Sequence, residues 1–150
     1  KMGFIETEGI DAMAFSWDAS LATNVPHIDR QHQELIQRIN GLLEAMKAGK
    51  GKDEIGRLLQ YVKDYTVKHF REEEMEMARR KSPVAEINKK GHQQFVTAID
   101  HLSARFHSEG PTATLVLEMQ RRLLDWLVSH IRAIDTKLAS PTAATSASAR

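Results

Sequence analysis

The sequence predicts an all-α protein, an up-down-up-down antiparallel four-helix bundle preceded by an N-terminal arm. Three observations carry this reading. Apolar residues recur at three- and four-residue spacing in four separate stretches of ~20–27 residues. Short turn-forming segments at Gly49–Gly51, Ser82–Pro83 and Gly110–Pro111 divide those stretches. No segment shows the alternation of period two that a half-buried strand requires.

Residues 1–25 show no sustained helical period. Phe15 and Trp17 are large and apolar, so this arm is expected to lie against the body. The first helix starts at Pro26, and Ile28, Leu35, Ile36, Ile39, Leu42, Leu43 and Met46 share one face. Gly49 and Gly51 end it, and Asp53 is expected to cap the second helix. There Ile55, Leu58, Leu59, Val62 and Tyr65 continue the period, followed by a charged stretch up to Arg80. Ser82-Pro83 restarts the chain, with Pro83 expected at a first helical position. The third helix carries Val84, Phe95, Ile99, Leu102 and Phe106. The fourth is expected from Thr112 to Leu138, with Val116, Met119, Leu123, Trp126, Leu127 and Ile134 on its apolar stripe. The bundle thus spans 26–138. Residues 139–150 read ASPTAATSASAR, which offers almost nothing to bury and reads as a linker or disordered tail.

The chain of 150 residues has seven histidines, no cysteine and a net charge of +1. The missing thiols exclude iron–sulfur clusters, thiolate zinc sites and cysteine nucleophiles. The balanced charge argues against a general nucleic-acid binder. No apolar run approaches the roughly 18 residues that span a bilayer, and the N-terminus does not read as a signal peptide. A cytoplasmic location is the expectation.

The histidines fall into two groups. His32 lies four residues after Ile28 and four before Ile36, so it points into the core. His69 follows Val62 and Tyr65 on the buried face, and Glu73 lies one turn beyond it. His92 precedes Phe95 and Ile99 on the third stripe, and His130 follows Trp126 and Leu127 on the fourth. Each predicted helix therefore turns one imidazole inward. Asp135 falls near the inner face of the last helix. A carboxylate in a core is costly unless paired or bound to a metal. Imidazole and carboxylate without sulfur suit iron, manganese or zinc better than copper(I) or calcium. Facing helices with inward His and Glu are one way to build a dinuclear centre. His27, His101 and His107 are expected at the surface. The apolar neighbours Ile28, Ile36, Phe70, Phe95, Trp126 and Leu127 are expected to be core.

Five residues separate His130 from Asp135. On an ideal helix that places them about 140° apart. If both face one metal pair, the helix must be distorted between them, for example by a π-bulge, or Asp135 must reach round the end of a turn.

Five segments, in order, resemble the bacterial hemerythrin domains: the Trp17 arm, IDRQH at Ile28–His32, HFREEE at His69–Glu74, GHQQF at Gly91–Phe95 and HIRAID at His130–Asp135. The resemblance implies a non-heme di-iron centre. Its irons cycle between Fe2+ and Fe3+ and share an oxo or hydroxo group. Dioxygen or a small anion is the exogenous ligand. By position, His32 and His69 would ligate one iron and His92 and His130 the other, with Glu73 and Asp135 bridging. One position departs. Where the family has a further histidine four residues before His92, this chain has Asn88. Either its amide oxygen is a weak ligand, or the position is left to water or a small anion. The second reading is the expectation, and it would leave a more open, more readily oxidised site.

The resemblance and the tail together suggest an oxygen or redox sensor. Such a domain would control a C-terminal output domain, in c-di-GMP synthesis or chemotaxis signalling, and would not itself be an enzyme. The fourth helix is the natural output element, and a homodimer is allowed. The alternatives are a free oxygen carrier and a di-iron enzyme consuming peroxide or nitric oxide.

Overall fold

The computed structural model describes residues 15–139. Helix α1 is Pro26–Lys47, α2 is Lys52–Arg79 and α3 is Ala85–Glu109. The fourth rod has three parts: α4 (Ala113–Met119), a π-helical stretch (Gln120–Asp125) and α5 (Trp126–Ala133). A 3-10 turn, Asp135–Lys137, follows. No strand occurs among the described residues. Helices α1, α2 and α3 pack in sequence, and the fourth rod closes the ring against α1 and α3.

The helix ends follow local chemistry. Pro26 occupies the first turn of α1, where its missing N–H costs nothing. Gly49 and Gly110 take φ values of +73° and +77°, a region that side chains disfavour, and so end α1 and α3. Two expected caps differ. Gly51 is the residue before α2, and Asp53 lies inside its first turn, where its charge faces the helix dipole. Pro83 stands outside α3, in the turn that Ser82 helps to close through its hydroxyl.

The core is the predicted apolar faces brought together, with Leu35, Ile39, Leu42, Ile55, Phe95, Ile99, Leu102 and Phe106 essentially without exposure. Phe15 and Trp17 pack against this core, and the Asn40 side chain holds the Phe15 backbone. A smaller cluster of Val25, Ile28, Met77 and Leu138 ties the start of α1 to the chain beyond α5.

The π-helical stretch has a packing rationale. Met119, Leu123, Leu127 and Ile131 are all buried at strict four-residue spacing. In an ideal α-helix a four-residue step drifts by about 40°, so the row would rotate off the core. Wider winding over Gln120–Asp125 takes up that drift and delivers His130 inward.

Candidate metal centre

Six buried side chains meet near one end of the bundle: His32, His69, Glu73, His92, His130 and Asp135. They form two groups that share Glu73. One is His32, His69 and Glu73; the other is Glu73, His92, His130 and Asp135. In each group the potential ligand atoms lie within 4.8 Å of one another.

The two oxygens of Glu73 face different ways. Oε2 is 2.9 Å from His32 Nε2 and 3.3 Å from His69 Nε2, whereas Oε1 is 3.0 Å from His92 Nε2. Asp135 divides similarly, with Oδ2 3.2 Å from His32 Nε2 and Oδ1 3.3 Å from His130 Nε2. Two ligand atoms each roughly 2.1 Å from a first-row cation, and at a right angle, are about 3.0 Å apart. The observed spacings are those of neighbouring ligands. Several of these atoms are close without being hydrogen-bonded. His69 Nε2, His92 Nε2, Glu73 Oε1 and Asp135 Oδ1 are all buried and lack a hydrogen-bond partner among the described residues. Buried polar atoms are rarely left so. Lone pairs converging on common points explain why short contacts and missing hydrogen bonds coincide. The donor set therefore fits a pair of borderline cations.

The far sides of two rings are anchored. His69 Nδ1–H donates to Gln31 Oε1 at 2.7 Å, and Gln31 in turn donates to Glu72 at 3.0 Å. His92 Nδ1–H donates to Glu74 Oε2 at 2.8 Å. Each bond fixes the tautomer that turns the Nε2 lone pair inward. Phe70 stacks on His92 with centroids 3.6 Å apart, and Trp126 stacks on His130 at 4.7 Å.

Without metal, the charges sort themselves. Burial opposes protonation of His32, but its bonds to Asp135 and Glu73 win and carry its pKa up to about 10. Burial holds His69 below its usual value despite Glu73. Burial would raise Glu73, yet three surrounding histidines hold it well below the usual carboxylate range. Burial likewise opposes charge on His92, and Glu73 and Glu74 raise it overall.

All six sequence-predicted ligands are thus brought together, and Asn88 joins them. It is fully buried, and its Oδ1 accepts from His130 Nε2–H at 2.7 Å. Its Nδ2 has no hydrogen-bond partner among the described residues. His27, His101 and His107 are exposed. The distortion between His130 and Asp135 exists, but it is a helix end. Helix α5 stops at Ala133, Ile134 departs from helical geometry at φ −115°, and the 3-10 turn swings Asp135 back beneath His130. The π winding stands upstream, at Gln120–Asp125. Gln31 and Glu74 escaped sequence reasoning. The available signal was their position beside His32 and Glu73, one helical step round from the inner face.

A buried His and carboxylate cluster shared among the helices of a bundle defines a class of dinuclear cation-binding proteins. This chain belongs to the hemerythrin family: the family described as "Hemerythrin HHE cation binding domain" matches residues 23–140. It is similar to the bacteriohemerythrin of Methylococcus capsulatus, with 33% identity over 127 residues, covering 84% of this chain and 94% of that one. It is 32% identical over 123 residues to the myohemerythrin of Riftia pachyptila, covering 82% and 89% of the two chains. A crystal structure of wild-type hemerythrin superposes with a TM-score of 0.73 at 30% identity, covering 84% of this chain and 98% of that one. The family holds a non-heme di-iron centre, and hemerythrins are oxygen-binding proteins. No described helix is long and apolar enough to cross a membrane.

Proposed function

We propose that His32 and His69 hold one iron, that His92 and His130 hold a second, and that Glu73 and Asp135 bridge them. The single observation that carries this is the division of each carboxylate between the two histidine sets at 2.9–3.3 Å. Asn88 is assigned as a seventh protein donor. Its oxygen, hydrogen-bonded to His130 Nε2 at 2.7 Å, lies beside the cation that His130 would hold, which favours the amide over the open position expected from the sequence. An amide is a neutral, weaker donor than imidazole, so the cation at this end of the centre is the more weakly held.

When bound, the two irons supply Fe2+/Fe3+ redox chemistry and an open position for dioxygen or a small anion. The protein's part is placement. Gln31 and Glu74 orient His69 and His92. Glu73 and Asp135 bring two negative charges that the cations offset. Ile28, Ile36, Phe70, Phe95 and Leu127 are buried, and Phe70 covers one face of His92.

Our reading of the role is an oxygen or redox sensor acting on a C-terminal output domain. Its support is the closeness of the centre to the chain beyond: Asp135 opens the 3-10 turn, and Leu138 is buried just past it. A change at Asp135 therefore bears directly on the segment that leads into residues 139–150. A free oxygen carrier is the second reading, favoured by the 94% coverage of the Methylococcus capsulatus bacteriohemerythrin. Hydrogen exchange on the reduced protein, before and after oxygen, separates them. The sensor reading expects altered protection between 126 and 139. Unchanged protection there, with a reversible oxy spectrum, establishes the carrier instead.

A further inference from the structure

Gly91 lies in the second turn of α3, one turn beyond Asn88 and on the same side of the helix. Its backbone is ordinary helix, so conformational freedom does not explain a glycine there. Glycine is a poor choice for a helix interior. The reason is space. A Cβ at position 91 would lie 2.7 Å from Cε1 and 3.0 Å from Nδ1 of His130, and 3.5 Å from Trp126 Cζ2. The His130 ring is thus seated directly on the backbone of α3.

The ring is fixed on other sides as well. Trp126 stacks on it at an interplanar angle of 11°, and its Nε2 meets Asn88 Oδ1 at 2.7 Å and Asp135 Oδ1 at 3.3 Å. A Cβ on α3 pushes the ring away from that helix, and so takes Nε2 away from Asn88 Oδ1 on the same helix.

We infer that Gly91 is a positioning residue for His130, and that Asn88 and Gly91 work as a compensating pair. The inference rests on the proposed assignment of His130 and Asn88 as donors. The amide oxygen of an asparagine ends nearer its backbone than the Nε2 of a histidine. A donor set built on Asn88 must therefore converge closer to α3, and His130 has to follow. Only a residue without a side chain at 91 lets it do so. A histidine at 88 moves the point of convergence outward and removes the need for glycine.

A double-mutant cycle tests this, with Gly91→Ala, Asn88→His and the pair combined. Cobalt(II) is titrated into the metal-free proteins and followed by visible absorption, with circular dichroism as the check on folding. Gly91→Ala is expected to keep its helicity, since alanine favours helix, and to bind one of two cobalt ions at least ten-fold more weakly. Its visible bands are expected to change as His130 is displaced. The double variant is expected to recover at least ten-fold of that loss. Asn88→His alone, crowded against a His130 held close by Gly91, is expected to bind the same ion more weakly than the double variant. Additive effects within two-fold, or unchanged binding and bands in Gly91→Ala, overturn the pairing. Should Gly91→Ala lose its fold, the comparison of Asn88→His with the double variant decides. A wild-type chain that fails to take two ions refutes the metal assignment itself, which is a different result.

Discussion

Removing the metals should reveal how much of the bundle's stability they hold. Four buried atoms, His69 Nε2, His92 Nε2, Glu73 Oε1 and Asp135 Oδ1, have no hydrogen-bond partner among the described residues. An unsatisfied buried polar atom costs about 1–3 kcal/mol, so the four together represent a liability of about 4–12 kcal/mol. A domain of this kind has only about 5–15 kcal/mol in hand. One kcal/mol moves the midpoint of a domain this size by roughly 4 °C. Loading the metal-free protein with Fe2+ under anaerobic conditions is therefore expected to raise Tm by at least ~15 °C, read by circular dichroism at 222 nm. A rise below ~5 °C with metal demonstrably bound refutes the reasoning, because the convergent lone pairs would then not be the liability described.

Further predictions follow from the same geometry. The metal-free protein should be most stable near pH 6.5. Burial keeps the folded-state pKa of His69 low and three histidines keep that of Glu73 low, so their contributions are lost as pH falls. His32 is raised, so its contribution is complete below pH 6.5 and fades as pH climbs toward about 10. Metal binding at neutral pH must expel the His32 proton, and calorimetry in buffers of different ionisation enthalpy should detect its release. Glu74→Gln and Gln31→Ala, which loosen His92 and His69 respectively, should each weaken one metal by 10–100-fold in a chelator competition. Phe106→Ala, fully buried and beside Gly56, should cost about 3–5 kcal/mol in urea unfolding yet leave metal stoichiometry unchanged.

The four rods and the inward histidines were legible because both follow from one periodicity. His32 lies a turn from Ile28, and His69 a turn from Tyr65, so helical spacing alone turned them to the core. Asp135 was harder. Its spacing from His130 contradicts a regular helix, which located an irregularity and left open whether it was a bulge or a helix end. Ending α5 at Ala133 and coiling tighter solves the same geometric problem as a bulge. The π winding at Gln120–Asp125 left its trace in the strict four-residue row of Met119, Leu123, Leu127 and Ile131. Asp53 and Pro83 misled because capping preferences are weak beside the packing that sets where α2 and α3 begin. Gly91 shows in the sequence only as the first residue of GHQQF, and its packing role could not be read there, since it lies against a ring contributed from 39 positions further along the chain.

The central claim is that one chain holds two irons between four histidines and two shared carboxylates. Iron content after anaerobic reconstitution and desalting, set against protein concentration by amino-acid analysis, tests it most directly. Two irons per chain are expected, falling to one or none in Glu73→Ala. A wild-type value of one or zero contradicts it.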